Sequence, residues 1–175
     1  MSGLTLVALT SLLWMSTCLV VGWRAVRWSD HDLATPGPFT RIRGWERSLW
    51  SYRRVLRISA WKDRIPEAGD FFRGGISKRH LPDGTNNTLI RFALETGRAE
   101  RCHWSIMAIG PTFLLWTPWW FALMNTVFGI VVNTPFILVQ RFNRIRSERS
   151  LARRGIDAAA IAARCATPGG HLAVN

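Results

Sequence analysis

Residues 105–140 read SIMAIGPTFLLWTPWWFALMNTVFGIVVNTPFILVQ, 36 residues without an Asp, Glu, Lys or Arg. The block lies between two arginine clusters. One straight helix of that length would rise about 54 Å at ~1.5 Å per residue, whereas a bilayer hydrocarbon core is only ~30 Å thick. The block is too long for one upright span. It must fold back, tilt strongly or lie partly in the interface. This reading puts the chain in a membrane.

Working outward, the 175-residue chain is long enough for one domain. Its apolar residues concentrate in two blocks, Leu4–Gly22 and Ser105–Gln140, and the remainder is polar and arginine-rich. The formal net charge is +12, from 21 Arg and 2 Lys (Lys62 and Lys78) against 11 acids. Such a charge fits either nucleic acid or an anionic membrane surface. Here the basic residues flank apolar spans, which selects the lipid bilayer as partner and sets nucleic acid aside. Ten Trp is high for this length, and Trp23, Trp28, Trp104, Trp116, Trp119 and Trp120 stand near the ends of the apolar blocks, where an interfacial belt places them. Cys18, Cys102 and Cys165 are odd in number and far apart, and no Cys-x-x-Cys pair occurs. Neither a disulfide framework nor a cysteine metal site is expected.

Leu4–Gly22 is a 19-residue uncharged run that lacks the basic start and the clear cleavage site of a signal peptide. The expectation is an uncleaved signal-anchor helix, with a cleaved signal as the alternative. The loop Trp23–His103 carries 16 basic and 9 acidic residues, and the tail after Gln140 carries 7 and 2, so their net charges are +7 and +5. Both begin with arginines close to an apolar end: Arg24 and Arg27, then Arg141, Arg144 and Arg146. The positive-inside rule predicts a multi-pass protein of the cell membrane, its N-terminus outside, its central loop and C-terminal tail cytoplasmic.

With loop and tail on one side, the block 105–140 crosses twice or dips in and returns. Pro111, Pro118 and the three Trp at 116, 119 and 120 mark the turn, since Pro interrupts the helix ladder. The expected fold is an all-α integral membrane protein with an N-terminal signal-anchor helix, cytoplasmic amphipathic helices and a C-terminal transmembrane helical hairpin. The spans fall at about residues 4–22, 105–117 and 119–140, and the first hairpin limb begins inside the preceding helix. Ser105–Leu115 is short for a full span, so a re-entrant limb is the alternative. Residues 1–155 form one membrane-embedded domain, and 156–175, small and polar, a flexible cytoplasmic tail.

In the central loop, Ala34–Phe39 is a turn. Arg41–Ser59 interleaves arginines with Ile42, Trp45, Leu49, Trp50, Tyr52, Val55 and Leu56 at spacings of three and four, which predicts a basic amphipathic helix on the membrane surface. Breaks follow at Ile65–Gly69 and Pro82–Gly84. Another helix starts near Asn87, its expected N-cap, and runs to about Trp104.

Three clusters carry candidate chemistry. In Glu95–Trp104, Thr96, Glu100 and His103 share one helical face. A carboxylate at Glu100 can hold the His103 imidazole in one tautomer and raise its basicity, which suits a general base for a hydroxyl nucleophile. The plain alternative is an ion pair at a helix end. Glu-x-x-His also occurs in di-iron bundles, which need a second copy; this chain has one, so no metal is expected. In Asn133–Arg144, Asn133 and Gln140 are polar groups within or at the edge of a span, where such groups face a cavity or another helix. Arg141 and Arg144, with Asn143 between them, either hold phosphates of an acyl carrier or coenzyme A or simply set topology. Trp61 and Lys62, with His80 later, could line the same cytoplasmic mouth or an exposed loop.

Taken in order, Trp61-Lys-Asp-Arg-Ile-Pro66, Arg79-His80-Leu81, Glu95-Thr-x-Arg98-Ala-Glu100-x-x-His103-Trp104, Asn133-x-Pro135 and Val139-Gln140-Arg141-Phe-Asn143-Arg144 form a set that resembles the glycosyl-4,4'-diaponeurosporenoate acyltransferase family. These are the membrane enzymes of the last step of staphyloxanthin-type carotenoid synthesis. The similarity covers roughly residues 61–146 plus the N-terminal span. It implies transfer of a fatty acyl group to a sugar hydroxyl of a glycosylated carotenoid or related glycolipid. The donor would be acyl-CoA or an acyl carrier protein, no cofactor would be bound, and other carotenoid or lipid biosynthesis enzymes are possible partners. The arginine-rich segment 41–57 and the alanine-rich tail depart from the family pattern.

The resulting expectation is a membrane acyltransferase. His103, oriented by Glu100, takes the proton of a sugar hydroxyl, and Arg98, Arg141 and Arg144 bind donor phosphates or the developing oxyanion. The alternative is a non-catalytic membrane scaffold or lipid-binding protein. A glycosyltransferase would need a sugar-nucleotide site, and the chain has no Asp-x-Asp outside Asp30-His-Asp32 next to the first span. A hairpin would bring the two motifs that bracket the uncharged block to one membrane face.

Overall fold

A computed structural model describes residues 3–65 and 85–166. The expectations at Arg79–Leu81, His80 among them, and at Pro82–Gly84 lie outside the described residues, as do Pro66 and the end of the tail. Among the described residues every regular element is helical: α1 (Gly3–Ala25), α2 (Asp30–Ala34), α3 (Ile58–Trp61), α4 (Asn86–Met107), α5 (Trp119–Arg153) and α6 (Ala158–Ala166), with shorter helical turns between them. Two of these, α1 and α5, are long and apolar enough to cross a bilayer, consistent with a membrane protein. The chain divides into two compact units, one built from residues up to Trp28 with Arg101–Pro135, the other from Ser29–Glu100 with the chain from Phe136 onward.

In the first unit, α1 exposes apolar side chains around its whole circumference: Leu4, Val7, Leu12, Met15 and Leu19 are all more than half exposed, and only Thr17 and Ala25 are buried. A helix apolar on every face needs an apolar surrounding, which is consistent with a membrane helix. Trp14 is its anchor. The indole stacks near Phe113 (centroids 6.0 Å apart) and meets Phe128 edge-on at 5.6 Å, while its Nε1 donates to Asn125 Oδ1 at 3.0 Å. That bond satisfies two polar groups that would each be costly in hydrocarbon.

The first limb differs from the expected helix over 105–117. α4 ends at Met107, and Gly110–Leu115 continues as a 3-10 helix with Pro111 in its first turn. Pro111 has no N–H for an α-helical ladder and locks its own φ, so the chain tightens into a short form that uses fewer of those bonds. The segment packs close: a Cβ on Gly110 would lie 2.7 Å from Thr126 Cα, which explains the glycine. Pro118 then opens α5, its carbonyl accepting from the N–H groups of Phe121 and Ala122.

α5 is one 35-residue helix with Pro135 in its interior. It does not stop at Gln140. Phe142, Ile145 and Leu151 continue an apolar stripe through the arginine-rich stretch, and all three are buried in the second unit. There Val139, Phe142 and Ile145 pack with Leu49, Tyr52 and Ile58. From α4 the same unit buries Leu89, Ile90, Phe92 and Leu94. Thr88 N–H donates to Thr85 Oγ1 at 3.4 Å, so the N-cap lies at Thr85, two residues before the expected Asn87.

One further expectation fails here. The amphipathic helix over 41–59 is broken: a 3-10 turn (Gly44–Ser48) ends at Leu49 with φ +58°, a π-helical turn (Ser51–Val55) follows, and Arg57 stands at φ +47° before α3. Positive φ at a non-glycine residue interrupts a helix, and it occurs here because Glu46 and Tyr52 turn inward toward α5. The start of the tail also departs from an irregular segment, since it is helical. Gly155 (φ +77°) closes α5 as Ile156 N–H reaches back to Leu151 O, and Asp157 caps α6 by accepting from Ala160 N–H at 2.8 Å. α6 then buries Ile161 and packs on α2.

Candidate functional site

The most heavily charged buried group of the second unit is built on Glu100, which is fully buried on α4. Arg141 Nη1 meets its Oε1 at 2.8 Å and Arg144 Nη2 its Oε2 at 3.0 Å. Arg141 also grips Glu46, through Nε to Oε1 (2.6 Å) and Nη2 to Oε2 (3.0 Å). Its remaining N–H groups go to the carbonyls of Phe39 (2.8 Å) and Arg41 (2.6 Å), and Arg144 Nη2 donates to the carbonyl of Thr40. The Tyr52 hydroxyl donates to Glu46 Oε1 at 2.7 Å and the Arg43 N–H to Oε2 at 2.7 Å.

The electrostatics follow from this geometry. Burial by itself would raise the Glu46 carboxyl, but the bonds from Arg141, the Arg43 backbone and Tyr52, together with the Arg141 charge, outweigh it and hold the group below the usual carboxylate range. Burial pushes the Tyr52 phenol upward, and its bond to the Glu46 carboxylate adds to the rise. Two carboxylates face two guanidiniums, so the cluster is neutral as a whole.

Arg141 has five N–H donors, and all five are taken by protein acceptors. None is left for a phosphate or an oxyanion. In this structure the residue acts as a strut that fastens segment 39–46 to α5. Arg98 pairs with Glu95 at 3.3 Å and lies 3.9 Å from Asp30, while Arg91 bridges the same two acids at 3.0 Å each. Asn143 is buried, and a buried Gln140 Oε1 has no hydrogen bond among the described residues. Thr96, also fully buried, turns its hydroxyl back to the carbonyls of Phe92 and Ala93. Trp61 Nε1 donates to Leu56 O at 2.8 Å, and Lys62 pairs with Asp63 at 2.5 Å.

His103 belongs to the first unit, where its Nδ1 lies 3.0 Å from Asn133 Oδ1. The Asn133 amide nitrogen donates to Gly129 O at 2.9 Å, which orients the side chain and turns its oxygen to the imidazole. An amide oxygen only accepts, so Nδ1 carries the proton, and in the neutral ring the lone pair is then at Nε2. The tautomer is the one a general base at Nε2 requires. The group that sets it is Asn133, whereas the Glu100 carboxylate assigned to this task from sequence is engaged by two arginines. Each bracketing motif thus finds its partner across α4 and α5, but in separate units: Glu100 with Arg141 and Arg144, His103 with Asn133.

Sequence reasoning missed Glu46 and Tyr52. A signal existed for the first: Glu46 is the lone acid between Asp32 and Asp63, set among six arginines. Among the described residues no three His, Cys, Asp or Glu side chains gather in a way that could hold a metal ion. The second unit also holds a cavity of about 280 Å³, between α2, segment 40–47, α4, α5 and α6.

Residues 37–153, which include both Glu46 and the His103–Asn133 pair, match the family model described as glycosyl-4,4'-diaponeurosporenoate acyltransferase. The chain belongs to this family. The matched region starts at residue 37, so the arginine-rich segment 41–57, read from sequence as a departure from the family, lies inside it. A protein named glycosyl-4,4'-diaponeurosporenoate acyltransferase from Staphylococcus haemolyticus is 30% identical over 138 residues, covering 79% of this chain and 80% of that protein. One of the same name from Staphylococcus aureus (strain bovine RF122 / ET3-1) is 32% identical over 113 residues, covering 59% of this chain and 64% of its own length. No solved structure matches the chain.

Proposed function

We propose that this member of the acyltransferase family moves a fatty acyl group from a thioester donor, acyl-CoA or an acyl carrier protein, to a sugar hydroxyl of a glycosylated carotenoid or related glycolipid at the membrane. The observation that carries the reading is the His103–Asn133 pair, a histidine held in the base-competent tautomer inside the family-matched region. His103 Nε2 takes the proton of the sugar hydroxyl while that oxygen attacks the thioester carbonyl carbon. The tetrahedral adduct collapses, the C–S bond breaks, and the imidazolium returns the proton to the leaving thiolate. Asn133 positions the ring and keeps Nδ1 protonated.

The bilayer holds both the acyl chain and the apolar acceptor, and α1 and the first part of α5 keep the chain there. The arginine flanks support a cytoplasmic loop and tail with the N-terminus outside. In this topology the short limb before α5 is the first arm of the hairpin. At ~2.0 Å per residue the six residues Gly110–Leu115 rise about 12 Å of the ~30 Å hydrocarbon core, so this arm draws on the end of α4 or is re-entrant.

The test is lipid mass spectrometry of cells that make the glycosylated acceptor, with wild-type chain or His103→Ala inserted at equal levels. The acylated glycolipid forms with the wild type and is lost with His103→Ala. Wild-type acylation by His103→Ala removes His103 as the base. If even the wild-type chain adds no acylated product, the scaffold or lipid-binding reading takes its place.

A further inference from the structure

The cavity of the second unit is floored by apolar side chains, among them Leu33, Ile42 and Ile161. Three guanidiniums line it: Arg41, Arg47 and Arg144. Arg144 is buried to 5% exposure, and its Nε has no hydrogen bond among the described residues. Its nearest carboxylate on that side is Glu148, also in the lining, at 3.9 Å. Arg41 and Arg47 are exposed at the rim, and among the described residues neither guanidinium makes a hydrogen bond or ion pair. The lining thus carries three guanidiniums against one carboxylate, Glu148, whose charge Arg144 and Arg47 share. Apolar walls with two hydrogen-bond-free guanidiniums at the rim fit one kind of ligand, an anion carried on a less polar arm.

We infer that this cavity is a subsite for a phosphate ester, gripped by Arg41 and Arg47 with its arm against Leu33, Ile42 and Ile161. The inference rests on the acyltransferase reading for the identity of the ligand. The same chemistry reaches the site from two sources, the phosphate-bearing carrier of a thioester donor or a phospholipid headgroup. The size agrees with one end of such a molecule. At about 280 Å³ the cavity falls just below the ~300–1,000 Å³ of pockets that bury a whole drug-sized ligand, which suits a phosphate and a short arm.

The buried ion-pair cluster acquires a purpose in this arrangement. Arg141 holds the carbonyls of Phe39 and Arg41, and Arg144 that of Thr40. These bonds fix the backbone that presents the Arg41 side chain at the rim. Arg141 is then a positioning residue for the subsite, and of the phosphate contacts assigned from sequence to Arg98, Arg141 and Arg144, only Arg144 lines the cavity, where Arg41 and Arg47 take the grip.

The experiment is direct binding by the full chain in nanodiscs, with coenzyme A as one probe and anionic phosphatidylglycerol vesicles as the other. The protein is wild type, Arg41→Ala/Arg47→Ala or Ala158→Trp, which places bulk at the α6 wall of the cavity while leaving the rim charges. Hydrogen bonds to charged groups contribute enough that each arginine is expected to account for about tenfold in affinity. The double variant should weaken one probe about a hundredfold, and Ala158→Trp should weaken the same probe, both with unchanged melting temperature. Arg47→Lys, which keeps the charge but loses the planar fork, should fall between. Loss with coenzyme A assigns the donor's phosphate, accompanied by a raised KM for acyl-CoA at unchanged kcat; loss with vesicles assigns the headgroup. Unchanged affinity for both probes in the double variant overturns the subsite. A chain that binds coenzyme A through these arginines yet transfers no acyl group overturns the enzymatic reading and leaves the subsite standing.

Discussion

The two units handle polar groups in opposite ways. The first, apolar on its surface, admits neutral pairs: Trp14 with Asn125, His103 with Asn133. The second buries four full charges, Glu46, Glu100, Arg141 and Arg144, and surrounds them with carbonyl and hydroxyl partners. In hydrocarbon a neutral pair is tolerable where a charge is not. In a water-bounded core, charges are tolerable once nearly every donor and acceptor is matched. The difference teaches where reactivity can reside. An arginine with all five donors engaged is structure, whereas the His103 imidazole is oriented at Nδ1 by a neutral amide.

The sharpest way to break this contrast is Arg141→Met. Removing one member of a buried ion-pair set strands the partner charges, and the expected loss is about 3–5 kcal/mol of stability, measured by chemical or thermal unfolding in detergent. Adding Glu46→Gln to the same protein should recover much of it, because one buried guanidinium, Arg144, then faces one buried carboxylate, Glu100. A loss below about 1 kcal/mol, within the range of exposed pairs, would mean that the cluster behaves like a surface feature and the two units do not differ as described.

Gly110→Ala tests the packing of the first unit. The added Cβ lies 2.7 Å from a backbone atom, Thr126 Cα, which cannot yield as a side chain can. The expected cost is about 1–3 kcal/mol, and a neutral result would show that α5 is free to shift there. Asn133→Ala should lower kcat about tenfold, the scale of a lost orienting contact to a ligating or catalytic ring, with a displaced pH–rate profile and little change in melting temperature. An unchanged profile would separate Asn133 from the tautomer of His103.

The smallest effects concern pH. The Glu46 carboxyl is depressed in the folded protein, so its contribution is present above the unfolded value of ~4.3 and is lost as pH falls through the folded one. The Tyr52 phenol is raised, so its contribution is present below ~10 and is lost as pH rises beyond that. Melting temperature against pH should therefore fall on both sides in the wild type. Glu46→Gln should flatten the acid limb and Tyr52→Phe the alkaline one. If neither limb changes, these two groups do not titrate with folding.

Much of this was legible in the chain itself. The 36-residue uncharged block, its Pro-Trp turn and the run Leu4–Gly22 announced an all-helical protein with apolar helices, because backbone polar groups without water must be satisfied within a helix. His103 stood out by its motif, and Asn133 and Arg141 by being polar at the edge of an apolar run. Less legible was everything that depends on which partner a charge finds. Spacing of three placed Glu100 with His103, yet Arg141 and Arg144 lie about forty residues away in sequence and take both of its oxygens. The same long-range pull on Glu46 broke the amphipathic pattern over 41–59, and the packing of Ile161 against the α2 side holds as helix a segment whose composition resembled a tail.

The sequence by itself determined the helical class, the apolar blocks, the charge asymmetry and the residue types available for acyl transfer, since these follow from composition and periodicity. The tertiary structure alone decided which partner each of those residues finds. A buried charge takes whatever partner the folded chain brings within hydrogen-bonding distance, and local spacing does not specify that choice.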